Sequence, residues 1–413
     1  VNEISYSQKP GMLSMDEALS YLLKQARPIS GTERVETKSS LGRVLAEPQV
    51  SAIDVPPFDN SAMDGYALAC ADLDPAGTTR LRISQRIPAG KVGISLESGT
   101  AARIFTGAPI PPGADAVVMQ EDCILEGEMI VILHQAIPGM NIRRAGEDIT
   151  IGAEILAKGT RIRPQEMGLA ASVGLASLSV YRKLRVVIFF TGDEIVMPGE
   201  PLGPGQIYNS NRFSLSGLLE TLGCEVIDYG IVPDNLNATV ETLKRAAREA
   251  DLIVTSGGVS VGEEDHVKAA VERVGKLDLW RIAIKPGKPL AFGKAGDAFF
   301  IGLPGNPVAA LVTFCLFVRP FILRCQNVME VTPTCLQVRA DFVWTKPDKR
   351  RQFLRAHLKT AGDGATAVDI YPNQSSAVLT STVWADGLVD LPAGEVVEHG
   401  DMVNYIPFSE VLW

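Results

Sequence analysis

Hydrophobic and polar positions fall into two regimes along this chain. Near the start, Ala18, Leu19, Leu22, Leu23 and Ala26 recur at helical spacing behind Ser14 and Glu17, whose separation is that of a capping box; a helix is predicted over Met15–Ala26. Short β-prone pieces and turns follow to about Val55. From Leu81 to His134 they continue with little helical periodicity, which predicts a small β-rich lobe. Gln165–Gly174 reads as a helix. From Arg185 the second regime begins. Apolar strands at Arg185–Phe190, Cys224–Val232, Leu252–Thr255 and Phe299–Leu303 are interleaved with helices over Asn211–Leu222, Asn237–Ala250 and Val267–Val274. Strands alternating with helices imply a doubly wound parallel sheet. After Ile322–Cys325 the helical pattern stops, and short alternating runs such as Gln337–Ala340, Ala367–Ile370 and Leu388–Leu391 predict a small β-barrel-like domain. The expectation is an α/β multidomain chain: a discontinuous N-terminal linker domain (1–55 and 140–182), a small β-rich lobe (56–139), a central α/β domain with a doubly wound parallel sheet (183–329) and a C-terminal β-barrel-like domain (330–413).

The candidate chemistry sits where the central strands end. Leu252–Thr255 opens into Ser256-Gly257-Gly258-Val259-Ser260-Val261-Gly262, then Glu263-Glu264-Asp265 before a helix. Strand, glycine turn and helix form the layout in which exposed amides cradle phosphate-like groups, although an ordinary loop has the same outline. Carboxylates near a helix start favourably meet its dipole, and that capping role is the plain reading of each. Beside an anion's seat they need a hard cation between, and Asp265 suits Mg²⁺, which takes one or two carboxylates and leaves the rest to water and phosphate. Ile284-Lys285-Pro286-Gly287-Lys288-Pro289 places two ammonium groups on a stiff turn. Phe299–Leu303 ends in Pro304-Gly305-Asn306-Pro307, where Asn306 is expected to N-cap and Pro307 to start the next helix. Glu194, Asp234 and Asp265 each follow a different strand or its adjoining loop, on the rim where such sheets bind ligands. Arg355 and the polar turn Gln374-Ser375-Ser376 offer oxyanion donors, with solvated surface as the alternative.

Composition narrows the function classes. At roughly 150 residues per domain, the 413 residues make two to four domains. A net charge of −9 and a pI near 5.2 argue against a general nucleic-acid or anionic-membrane binder, so an anionic substrate must be drawn by local lysines and arginines. No run of 18 apolar residues and no signal-peptide pattern is seen. The six cysteines, at 70, 123, 224, 315, 325 and 335, are scattered without a C-x-x-C pair, which fits reduced thiols and a cytoplasmic location.

SGGVSVGEEDH, IKPGKP and GLPGNPVA, in this order, resemble the molybdopterin-binding domain of MoeA-type molybdopterin molybdenumtransferases, the family that includes the E domain of gephyrin. PPFDNSAMDGYA (residues 56–67), Thr106-Gly107-Ala108-Pro109 and Asn141–Asp148 match the family as well, and the likeness spans essentially the whole chain. It implies insertion of molybdate into adenylated molybdopterin, with Mg²⁺-dependent release of AMP. It also implies Asp234 and Asp265 at Mg²⁺, with Glu194 in support, and Lys285 and Lys288 neutralising phosphate and molybdate. Gly257, Gly258 and Ser260 would serve the oxyanion, Pro304 and Pro307 would shape the pocket, and Arg355 and Ser375 would face molybdate. Asp59, Thr106 and Asp148 would enter from the other subunit of a homodimer with shared clefts. The implied partner is the molybdopterin adenylyltransferase; no nucleic acid or membrane is involved.

This chain departs from the family pattern at Phe105 (commonly Met), Asn209 (often Asp) and His266 (usually Tyr), and near Ser375 it lacks a glycine. Two other readings compete. The doubly wound domain alone resembles the adenylating partner, against which stand PPFDNSAMDGYA and the C-terminal domain. Gephyrin's E domain also clusters receptors, so a scaffold is the second.

Overall fold

A computed structural model describes residues 12–75, 77–258 and 266–412, the side chains of 279 and 280 excepted. The central sheet runs in the order Glu225–Ile231, Arg185–Phe190, Leu252–Ser256, Ala298–Leu303, Pro289–Ala295, Gly275–Arg281. The first four strands are parallel, as their unbroken apolar runs predict, but the last two are joined through antiparallel pairings, with Pro289–Ala295 alone running against the rest, so the sheet is mixed. The sequence pattern missed those two because Gly275, Gly293 and scattered lysines interrupt their alternation. Side chains alternate across the parallel strands. Val186, Ile188 and Phe190 enter one core with Leu215, Leu219 and Phe317, while Val187 and Phe189 enter another with Val240, Leu243 and Phe300. Both faces are therefore covered, the condition under which parallel strands are stable.

The helix Met15–Gln25 has the predicted capping box: the Ser14 hydroxyl accepts from the Glu17 amide, and the Glu17 carboxylate accepts from the Ser14 amide. Its buried Ala18 and Leu22 pack in the core of the α/β domain, which thus reaches back across the sequence to residue 13. The run Pro307–Cys325 is long and apolar enough to cross a membrane, yet 83% of its apolar window is buried inside the protein. It is a core helix, with a π turn at Phe314–Val318 and Cys315 packed as a small hydrophobe. At its start Pro307 occupies the first turn as expected. Asn306 holds the cap position, but its side chain makes no capping hydrogen bond, which corrects that expectation.

The small lobe is a six-stranded sheet, and strand Thr32–Glu36 pairs with Ser177–Tyr181 to join the segments on either side of it. The C-terminal strands Leu336–Ala340, Arg351–Thr360, Thr366–Ile370, Gly387–Leu391 and Met402–Pro407 close into a barrel through the pairing of the second with the fourth. A sixth, two-residue strand comes from elsewhere. Ile284–Lys285 pairs parallel with Arg351 and Gln352, fastening the lysine-bearing turn of the α/β domain to the barrel.

Leu22→Ala should therefore destabilise the α/β domain although it lies far outside it in sequence. The expected loss is about 2–5 kcal/mol, the usual cost of deleting a fully buried leucine, read as a lower urea midpoint; an unchanged midpoint would mean that the N-terminal helix is dispensable to that core.

Candidate functional site

A cleft of about 1000 Å³ lies over the carboxyl ends of the parallel strands. Its walls come from seven separate segments, and short-range chemistry sets three of the loops among them. Gly257 and Gly258 have φ of +92° and +62°, a region that side chains rarely enter, so Ser256-Gly257-Gly258 turns tightly at the strand end. The Asn211 amide donates to the Ser256 hydroxyl at 2.7 Å and to the Gly305 carbonyl at 2.8 Å, and Ser256 donates to the Pro304 carbonyl at 2.8 Å. One asparagine thus ties both glycine loops to the helix Ser210–Thr221. Across the cleft, Gly287 has φ +106°, and a Cβ there would stand 2.3 Å from Thr313 Oγ1 of the buried helix. The turn carrying Lys285 and Lys288 can lie this close to that helix only with glycine at 287.

A side cavity of about 220 Å³ adjoins the cleft, sharing Lys285, Pro286, Gln374 and Ser375 with it. Arg355 lines its inner end and is fully buried. Nε donates to Ser381 Oγ at 3.0 Å and Nη2 to the Ser375 carbonyl at 3.1 Å, while Nη1 has no partner. Burial alone pushes this guanidinium down to about 10, with no carboxylate beside it to offset the cost. Trp344 Nε1 and Gln352 Oε1, on the same wall, are also buried without partners. Buried polar groups in folded proteins are nearly always paired, so these three atoms, on residues that line one cavity, are available to a polar ligand or to water.

Family comparisons bear on this arrangement directly. Residues 13–174 match the MoeA N-terminal region (domains I and II), residues 187–324 a probable molybdopterin-binding domain, and residues 337–408 the MoeA C-terminal region (domain IV). The molybdopterin molybdenumtransferase of Haemophilus influenzae is 42% identical, over 97% of this chain and all of that one. Molybdopterin molybdenumtransferase 2 of Mycobacterium tuberculosis is 37% identical over 91% and 94%. The chain belongs to the molybdopterin molybdenumtransferase family. The crystal structure of the molybdopterin biosynthesis MoeA protein of Pyrococcus horikoshii OT3 superposes with a TM-score of 0.81 at 30% identity, over 96% of this chain and all of that one. Enzymes of this family are transferases of molybdenum cofactor biosynthesis.

Within this molybdopterin molybdenumtransferase fold, Glu194, Gly257, Gly258, Lys285, Lys288, Pro304, Pro307 and Ser375 all line the cleft. Arg355 lines the side cavity and is buried rather than solvated surface, because its strand is covered on both faces. Asp234 is half-buried in the loop after Glu225–Ile231, on the same rim of the sheet but off the cleft wall. Ser260 and Asp265 lie outside the described residues. Asp59, Thr106 and Asp148 belong to the N-terminal half and stand apart from this cleft. Asp59 accepts from Arg144 Nη1 at 2.5 Å and the Ala145 amide at 2.8 Å, and Thr106 donates twice to Asp64. The Ala145 amide and the Arg144 guanidinium hold the Asp59 carboxyl below its usual range.

The departures have local explanations. Asn209 Oδ1 caps the helix by accepting from the Arg212 amide, a task the neutral amide does as well as a carboxylate. Phe105 lies between the guanidinium groups of Arg86 and Arg103, each 4.5 Å from its ring. His266 begins the helix His266–Val274. Sequence reasoning passed over Asn211, Trp344, Asp348, Arg350 and Gln352. Asp348 and Arg350 sit in Lys346-Pro347-Asp348-Lys349-Arg350-Arg351, a charge run of the kind usually left to solvent; the pairing of Ile284–Lys285 with the barrel brings Arg350 to the cleft and Asp348 to Lys285 behind it.

Gly287→Ala should displace the turn and weaken anion binding, since the forced backbone conformation alone costs about 1–3 kcal/mol. Gly305→Ala is the control: its Cβ would meet only Gly257 Cα at 3.7 Å, an ordinary contact. Melting temperature together with phosphate titration separates the two; equal behaviour would mean that the turn has room to move.

Proposed function

We propose that this chain inserts molybdenum from molybdate into adenylated molybdopterin, with Mg²⁺-dependent hydrolysis of the phosphoanhydride and release of AMP. The observation that carries the reading is Arg355: a buried guanidinium with no acid partner and a free Nη1, at the inner end of a cavity that joins the main cleft at Lys285. A small oxyanion supplies the missing charge and acceptors, and charge-assisted bonds to such a fork are the strong kind. Molybdate, a tetrahedral dianion, takes the side cavity against Arg355, Lys285 and Ser375. The nucleotide-capped pterin takes the cleft, its phosphates facing the backbone of Ser256–Gly258 and the Lys288 ammonium. Pro304 and Pro307 hold the facing loop in shape.

No group of three or more His, Cys, Asp or Glu side chains able to hold a metal occurs among the described residues. Mg²⁺ does not require one, since it draws most of its ligands from water and phosphate. The rim carboxylate of Glu194, beside a phosphate-binding loop, fits that habit. Asp234 and Asp265 would hold the ion, with Glu194 in support, and when bound it stabilises charge on the phosphoanhydride oxygens. The chain's own part is to fix both anions: the cleft amides and Lys288 orient the phosphates, and Lys285 stands between the two cavities where the anions meet. The hydrolysis consumes one water and gives AMP and a pterin monophosphate.

Asp59, Thr106 and Asp148, apart from this chain's cleft and held by local hydrogen bonds, suit presentation to the cleft of a second copy, as in a homodimer with shared sites. A molybdopterin adenylyltransferase is the partner that would hand over the substrate, in the cytoplasm.

The direct test supplies adenylated molybdopterin, Mg²⁺ and molybdate and measures AMP; no molybdate-dependent release would overturn the reading. Arg355→Lys keeps the charge but loses the fork. It should weaken molybdate binding about ten- to a hundredfold, the worth of a hydrogen bond to a charged group, and leave the pterin's affinity unchanged; equal loss of both ligands would point to a collapsed site instead. Mixed dimers of Asp59→Ala and Asp234→Ala subunits should recover activity through one intact cleft, whereas mixed dimers without activity would count against shared sites.

A further inference from the structure

Lys285 lines both cavities, and its backbone pairs with the barrel. Its backbone is fixed by the parallel pairing of Lys285 with Gln352 and by Pro286, so only the flexible side chain is free to move. In this structure the ammonium lies 3.1 Å from Asp348 Oδ2 and remains about half exposed, at 47%. Asp348 is only 18% exposed, stands behind the wall, and lines neither cavity. Arg350 holds Asp348 independently: Nε and Nη2 each donate to one carboxylate oxygen at 3.0 Å, and the Arg350 amide donates at 3.1 Å. The Arg350 guanidinium, together with the Lys285 ammonium and the Arg350 amide, holds the carboxyl well below the usual carboxylate range.

The two bonds are therefore unequal. If Lys285 swings away, Asp348 keeps a bidentate guanidinium and a backbone amide and is left with no unpaired oxygen. If Arg350 were to leave, it would forfeit both. Lys285 is the expendable partner. A lysine ammonium is a compact charge on a four-carbon stem with three rotatable donors, suited to exchanging one anion for another. We propose that Asp348 is an internal counter-anion that competes with the incoming oxyanion for Lys285, making it a positioning residue that sets how tightly the side cavity holds its dianion. The exchange replaces a monoanion by a dianion and turns Lys285 toward Arg355; on departure of the oxyanion, Asp348 takes the ammonium back. Binding is thereby kept weak enough for release to the pterin. The inference rests on the reading of the side cavity as the molybdate site, and the experiment separates the two.

Molybdate is titrated calorimetrically into the full chain and into Asp348→Asn, Lys285→Met and the double variant, with melting temperature recorded for each. Asparagine still offers Arg350 an acceptor; should that variant melt early, Asp348→Ser carries the same comparison. Removing the competing ion pair should tighten molybdate binding about three- to tenfold. The gain should vanish in the Lys285→Met background, where nothing is left to compete for. A purely structural role for Asp348 predicts weaker binding. Equal or weaker binding by a folded Asp348→Asn overturns the proposal alone, as does a gain that persists without Lys285. Failure of the unaltered chain to bind molybdate overturns the site reading and the proposal with it.

Discussion

Two residues of backbone pairing hold the site together. Where Ile284–Lys285 lies parallel to Arg351–Gln352, the lysine-bearing turn of the α/β domain becomes part of the barrel's sheet, and the wall between cleft and side cavity is formed. Neither domain makes that wall alone: Lys285 and Pro286 come from one, Arg350, Arg355 and Gln374 from the other. Gly287 permits the turn to lie against Thr313 of the long buried helix, so core packing beneath the cleft and hydrogen bonding beside it fix the same loop. Sites held on two sides by regular elements keep their geometry better than sites on free loops.

Charge is distributed over this frame by the same logic. The chain as a whole is acidic, at −9, yet the wall carries lysines and arginines with Asp348 as the acid directly bonded to them. Arg355 is placed where its charge is costly and unanswered, a poor choice for stability and a good one for binding a small anion. Asn211, Ser256 and Pro304 form an uncharged counterpart on the opposite side, where hydrogen bonds fix the shape of both glycine loops.

How much of this was written in the chain depends on the range of the interaction. Strands such as Arg185–Phe190 and Leu252–Ser256, and the loops marked by Gly257-Gly258, Pro286-Gly287 and Pro304-Gly305, were legible because local sterics and burial dictate them. The antiparallel-paired strands Pro289–Ala295 and Gly275–Arg281 were not, since their alternation is broken and their register is set by neighbours. Arg355 was legible as chemistry but not as a buried group. On its strand Leu354 and Ala356 face the barrel core, while Phe353 packs into the core of the α/β domain, so the face that carries Arg355 is covered by the segment 373–381 and by docking of the two domains. Asp348, 63 residues from Lys285 in sequence, could not have been paired with it by any local rule.

The claim on which the account turns is that an uncompensated guanidinium at the barrel–sheet junction is the seat of an oxyanion. Diffraction at the molybdenum absorption edge, from crystals of this chain soaked in molybdate, tests it most directly. The account predicts a single anomalous peak in the side cavity, within hydrogen-bonding distance of Arg355 Nη1 and the Lys285 ammonium. A peak elsewhere, with only water against Arg355, would contradict it.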